Sequence, residues 1–144
     1  MKLIRVAAAV LNQTPLDWAG NELRILDAIE QARAQKATIL CLPELCITGY
    51  GCEDAFHSAG IQSTALTILE KLLPKTKGLI VTIGLPLMFQ NALFNVVCVA
   101  ADGKILGFVA KRFLAGDGIH YEPRWFKPWP QQVRTTVEVL GKCY

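Results

Sequence analysis

The sequence predicts an α/β fold with a partly parallel sheet, and three observations lead there. Evenly apolar runs of strand length recur along the 144 residues. Stretches with helical periodicity separate the first three of these runs, and the last two are joined through Asp102-Gly103, a pair suited to a two-residue hairpin turn. Strands alternating with helices need parallel crossovers, whereas a tight turn makes an antiparallel pair. An apolar run without alternation has no solvated face, so helices or another sheet are expected over both sides.

Each element follows from its own residues. Residues 3–11, with Ile4, Val6 and Val10, read as a fully buried strand, and residues 12–15 as a turn. Between Trp18 and Ala34, apolar side chains recur at Leu23, Ile25, Leu26, Ile29 and Ala32, which is helical spacing. Asn21 is the candidate N-cap, with Arg24 and Arg33 on the outer side. Residues 37–42 form a second buried strand, which Pro43 ends because it has no amide hydrogen to donate. The glycine-rich residues 47–60 hold no sustained period and form a loop. A second helix spans 65–73, with Leu66, Leu69, Leu72 and Leu73 on one side. Residues 78–85 form a third strand, buried on both faces, and residues 94–101 and 105–110 form the hairpin. Beyond Lys111 comes a long loop rich in Gly, Pro and Trp, then an edge strand over 134–140. No internal repeat, low-complexity linker or domain boundary interrupts residues 1–144, which read as one unit.

Composition narrows the class of function. The chain is 52% hydrophobic and 19% charged, which is apolar for its length. Apolar surface meant for further chain or another subunit explains this, and so does an Ala- and Leu-rich core. The formal charge of +3 is scattered, with Lys111-Arg112 the only cluster, which argues against nucleic acid as a partner. Residues 1–5 carry charge within the apolar run and show no secretion-signal pattern, and no apolar stretch approaches membrane-spanning length, so no membrane partner is expected. The cysteines at 41, 46, 52, 98 and 143 are odd in number, and none is spaced Cys-x-x-Cys. That points to a reducing, cytoplasmic setting without disulfides. Cys41 and Cys98 read as small buried hydrophobes. No metal site is expected, because only His57 and His120 are available and neither stands near a cysteine pair.

Two segments carry chemistry. Glu44 follows Leu42-Pro43 at the carboxyl end of a strand, the edge along which open α/β sheets place their sites. It could act there as a general base, or simply cap a loop amide. Lys111 closes the last hairpin strand, where it could stabilise an oxyanion or carry a solvated head on an apolar stem. Glu122 could orient Lys111 or pair with Arg124 on the surface.

With their surrounding residues these positions are more specific. Pro43-Glu44-Leu45, then Thr48-Gly49-Tyr50-Gly51-Cys52-Glu53-Asp54, then Lys111-Arg112-Phe113-Leu114 and Tyr121-Glu122-Pro123-Arg124-Trp125-Phe126 closely resemble the carbon–nitrogen hydrolase (nitrilase) superfamily. Within it the resemblance runs to the glutaminase domains of glutamine-dependent NAD(+) synthetases. The Gly-Tyr-Gly-Cys-Glu-Asp extension, the Arg124-to-Pro130 tail and the opening through Trp18 favour that subgroup. The resemblance implies a nitrilase-like α-β-β-α sandwich, incomplete here and amounting to roughly its N-terminal half. It implies a Glu-Lys-Cys mechanism in which Glu44 is the general base, Lys111 stabilises the tetrahedral intermediate and Glu122 holds that lysine. Tyr50 and Tyr121 would line the glutamine pocket.

The resemblance further implies that the family nucleophile lies past residue 144. Cys52 copies the spelling of the nucleophile motif but stands in the loop after Glu44, and Cys143 has only Tyr144 behind it. Neither is expected to be the nucleophile, and the chain alone is expected to be inactive. L-glutamine, a synthetase domain absent here and further copies of the protein are the implied partners. No cofactor is implied for this part, while ATP and Mg are implied for the synthetase domain. Another amidase or nitrilase of the superfamily, or a shortened non-catalytic binding or assembly protein, are the alternatives.

Overall fold

In a computed structural model that describes residues 3–118 and 120–144, five strands form one mixed sheet. These are β1 (Val6–Ala8), β2 (Ile39–Cys41), β3 (Ile80–Phe89), β4 (Ala92–Ala101) and β5 (Lys104–Ala110), arranged in that order. The pairs β1–β2 and β2–β3 are parallel, while β3–β4 and β4–β5 are antiparallel. Two helices supply the crossovers, α1 (Trp18–Ala34) and α2 (Ala59–Leu72). Met1 and Lys2, part of the N-terminal run read as carrying no secretion signal, lie outside the described residues.

The hairpin expected at Asp102-Gly103 is present, with both residues at positive φ (49° and 78°), the geometry that suits the right-handed twist of paired strands. A second such turn at Gln90-Asn91 joins β3 to β4 and lengthens both beyond their expected limits.

The helices pack on one face of the sheet. Register aligns Leu40, Val81, Ile83, Leu85, Val96, Cys98 and Ala100 on that face, each at most 4% exposed. They meet Ile25, Ile29, Ala65, Leu69 and Leu72 from the helices in a single core. Each of the larger aliphatic side chains so buried contributes about 1.5–3 kcal/mol.

Several expectations are corrected. Residues 3–11 are not a fully buried strand: only Val6–Ala8 pairs, and Leu3, Ile4, Val6 and Val10 are 84%, 64%, 62% and 99% exposed. Cys41 is exposed rather than buried, because its side chain shares the sheet face turned away from the helices; Cys98, on the helical face, is buried. Among the described residues the helices cover only that one face. Asn21 does not cap α1; Asp17 does, accepting the Gly20 amide at 3.0 Å, while Asn21 is fully buried one turn in and Leu23 turns outward. The 47–60 loop contains a 3-10 turn (Glu53–His57), and α2 starts at Ala59, six residues earlier than expected. Among the described residues, the edge strand over 134–140 reduces to β6 (Glu138–Val139), paired only with β7 (Lys142–Cys143).

Candidate active site

Topology decides where the candidate residues meet. β2 and β3 run parallel, and β5, two antiparallel steps from β3, runs the same way, so their carboxyl ends share one edge. Glu44 lies three residues beyond β2 and Lys111 directly follows β5. Three inter-strand spacings, about 14 Å, separate the two strands. The turn after β2 closes that gap by lying across β3 at Gly84. A Cβ there would stand 2.5 Å from the Leu45 nitrogen and 2.6 Å from the Pro43 oxygen, so only glycine lets the turn lie so low.

The turn is also held from beneath. Asn21 donates to the Thr14 and Ile47 carbonyls at 2.9 and 3.1 Å and accepts from the Thr14 amide and Arg24. Gln13 donates to the Cys46 carbonyl at 2.6 Å, and Ile47 donates to the Gly84 carbonyl at 3.2 Å. A buried amide with all these partners satisfied fixes the turn rather than destabilising it.

Glu44, Lys111 and Glu122 converge. Lys111 Nζ lies 2.6 Å from Glu44 Oε1, and 3.0 and 2.9 Å from the two oxygens of Glu122. Glu122 is 1% exposed and accepts the Ala115 amide at 2.5 Å. Burial pushes its carboxyl up, yet the Ala115 amide and the Lys111 ammonium hold it below the usual glutamate range. Burial pulls Lys111 down, but its hydrogen bonds to Glu44 and Glu122 keep it above the usual lysine value, so the ammonium stays charged. Of the two partners the sequence left open for Glu122, the structure pairs it with Lys111. Arg124 instead holds Asp54 in a two-pronged pair at 2.6 and 2.7 Å.

One member of the cluster was not expected from the sequence. Asn95 on β4, 4% exposed, donates through Nδ2 both to Glu44 and, at 3.1 Å, to Glu122. The available signal was a lone amide in the otherwise apolar run Leu93–Val99.

The two tyrosines part company. Tyr50 is half-buried, edge-on to His120, and its hydroxyl is pushed up to about 12 by burial and then by the Glu122 carboxylate. Tyr121 is 57% exposed and makes no side-chain hydrogen bond to the cluster among the described residues. A cleft of about 270 Å³ opens over Glu44, Gly84, Asn95, Val97, Val109 and Lys111, and no cysteine is among the residues lining it. Cys52 is buried with its thiol on the Thr48 and Gly49 carbonyls, and burial pushes that thiol up, which suppresses the thiolate a nucleophile needs. A larger apolar cleft of about 540 Å³ lies between β4–β5 and the C-terminal segment, and Arg112 and Arg134 are its only charged lining side chains.

The arrangement offers a carboxylate as proton acceptor beside a fixed cation, a pairing suited to acyl transfer once a nucleophile is supplied. The described residues gather no group of three or more His, Cys, Asp or Glu side chains that could hold a metal ion.

The family follows from comparison with known proteins. Residues 5–142 match the family model for carbon–nitrogen hydrolase. The chain is 38% identical over 141 residues to the glutamine-dependent NAD(+) synthetase of Rattus norvegicus, covering 96% of this chain and 19% of that protein. It superposes with a TM-score of 0.95 and 45% identity on the crystal structure of a glutamine-dependent NAD(+) synthetase from Cytophaga hutchinsonii, covering 98% of this chain and 24% of that one. A mutant of the Nesterenkonia AN1 amidase, from the nitrilase superfamily, superposes with a TM-score of 0.75 at 25% identity, covering 97% of this chain and 53% of that one. The chain thus spans about a fifth of the length of the curated relatives it matches. Its sheet and single helical layer form one side of a nitrilase-like sandwich.

Proposed function

The chain belongs to the carbon–nitrogen hydrolase family, and we propose that it furnishes the acid–base half of a glutamine-hydrolysing site in a glutamine-dependent NAD(+) synthetase. The observation that carries this reading is Lys111 Nζ held between Glu44 and Glu122 at 2.6 and 2.9 Å, at the carboxyl edge of the sheet. The identities of 38% and 45% to proteins named as glutamine-dependent NAD(+) synthetases support the choice of substrate.

In the proposed mechanism Glu44 takes the proton of a cysteine thiol lying outside the described cleft. The resulting thiolate attacks the side-chain amide carbon of L-glutamine. Negative charge develops on the amide oxygen, and the Lys111 ammonium stabilises it. Glu44 returns the proton to the leaving nitrogen and ammonia departs, leaving a thioester. Glu44 then takes a proton from water, which attacks the thioester and releases glutamate and the thiol. Glu122 keeps Lys111 charged and aimed, and Tyr50 and Tyr121 contribute to the pocket. The ammonia passes to a synthetase domain that uses ATP and Mg to amidate an adenylated nicotinic acid dinucleotide. The same reading includes further copies of the protein as partners and a cytoplasmic setting, which the five unpaired cysteines support. No helix among the described residues is long and apolar enough to cross a membrane.

The test is glutamine hydrolysis by the complete protein carrying this chain. Glu44→Gln and Lys111→Ala should each lower turnover by roughly 10²- to 10⁴-fold, the usual weight of a general base or an oxyanion-stabilising group. NAD(+) formation from added ammonia should persist in both variants. Unchanged glutamine turnover in either variant overturns the role assigned to that residue.

A further inference from the structure

We propose that Asn95 is a positioning residue of this site, registering Glu44, Lys111 and Glu122 at once; the inference rests on the acid–base reading of Glu44 and Lys111. Its backbone carbonyl accepts the Lys111 amide at 2.9 Å, which fixes where the lysine leaves β5. Its side-chain Nδ2 donates to Glu44 and to Glu122, the two carboxylates that share the Lys111 ammonium. These groups come from three separate segments of chain, and Asn95 is the residue that touches them all.

The chemistry requires an amide. Ionised carboxylates only accept hydrogen bonds, and two of them beside one ammonium leave a net negative charge that drives them apart. A neutral NH₂ with two hydrogens binds both without adding charge. A hydroxyl has a single hydrogen and could serve only one, and aspartate would bring a third carboxylate. Both partners are carboxylate oxygens, so the nitrogen must face them; the flipped amide would aim an acceptor at two acceptors.

The strand is built to allow this. The Asn95 carbonyl points toward β5, so Asn95 and its β3 partner Pro86 form a pair that exchanges no backbone hydrogen bonds, and the N–H that proline lacks is not missed. The side chain then projects from the sheet face that the 43–45 turn crosses, into the cleft under Glu44.

Glutamine hydrolysis by the complete protein tests the proposal, with Asn95→Leu, Asn95→Asp and Glu44→Gln measured side by side. Asn95→Leu keeps the γ-branched shape and removes both donors. Its kcat should fall about 10- to 100-fold with KM changed less than about threefold, the weight of one or two charge-assisted hydrogen bonds. The melting temperature should stay within a few degrees of the parent, about what one or two buried hydrogen bonds are worth. Asn95→Asp, nearly isosteric, should show at least as large a deficit, because an ionised carboxyl cannot donate and adds a third negative charge beside Glu44 and Glu122. A kcat for Asn95→Leu within about twofold of the parent overturns the proposal, as does an Asn95→Asp variant that turns over as fast as the parent. If Glu44→Gln is dead while Asn95→Leu is unimpaired, the positioning role alone fails. If Glu44→Gln turns over normally, the acid–base reading fails and the positioning role fails with it.

Discussion

Two carboxylate–cation clusters sit in the loops at the carboxyl edge of the sheet, and they differ in nearly everything but charge. In one, Glu122 is 1% exposed and shares Lys111 with Glu44, and the Ala115 amide and Asn95 complete its bonding. In the other, Asp54 and Arg124 are 62% and 53% exposed, joined by two parallel hydrogen bonds, with the Trp125 indole as a third donor. By geometry alone the second is the better salt bridge, since a guanidinium matches a carboxylate at both prongs. The first, though, has more to lose. A buried charge stripped of its partner cannot turn to water, whereas an exposed one is resolvated at once.

The sharpest way to break this contrast is Glu122→Leu. It leaves the Ala115 amide and one Asn95 hydrogen without an acceptor and Lys111 with Glu44 alone. Two buried donors left without an acceptor cost about 1–3 kcal/mol each, so hydrogen exchange at the Ala115 amide should accelerate by roughly 30-fold or more. An increase below about tenfold would mean the cluster is no more demanding than a surface pair.

Acid sharpens the same comparison. The Glu122 carboxyl is held below its ordinary value of 4.5, so its contribution is complete above that pH and is lost as pH falls through the depressed folded value. Lys111 is held above 10.5, so its contribution is complete below that pH and is lost as pH rises through the raised folded value. Protection of the Ala115 amide, corrected for intrinsic exchange, should therefore be flat between 4.5 and 10.5 and decline on either side. Glu122→Gln should abolish the acid decline. A decline that begins near pH 6 in the parent would assign the dependence to some other group.

How much of this was legible in the sequence follows from which forces are local. The Asp102-Gly103 turn and the body of α1 were readable, because positive φ and 3.6-residue periodicity are properties of a few adjacent residues. The burial of residues 3–11 was not, because an apolar run records what it could bury and not what covers it. Asn21 misled for a related reason: it has the side chain of a cap, yet it spends its hydrogen bonds on Thr14 and on Ile47, 26 residues away. At the site, Glu44 and Lys111 stood out as ionisable residues ending apolar strands, and Glu122 as a possible partner for Lys111. Asn95 did not, since an uncharged residue within a strand becomes conspicuous only when register puts it between two carboxylates. Gly84 was hidden in the same way, its meaning residing in a turn about 40 residues earlier in the chain.

The smallest effect is expected from Asp54→Ala. Arg124, then the Trp125 indole, hold the Asp54 carboxyl well below the usual carboxylate range, which shows a well-made contact, but solvent reaches all three groups. What fastens this loop is Phe56, fully buried with its ring 4.9 Å from that of Phe126, itself 1% exposed. That contact does not depend on charge. The melting temperature of Asp54→Ala should stay within about 2 °C of the parent. Any difference should vanish in about 1 M salt, where screening acts within about 3 Å. On the proposed reading, glutamine turnover by the complete protein should stay within about twofold, because Glu122 is fixed by Ala115, Lys111 and Asn95 independently of Arg124. If Asp54→Ala instead lowered that turnover as far as Lys111→Ala, the exposed pair would be holding the buried cluster in register, and the division drawn between the two would be lost.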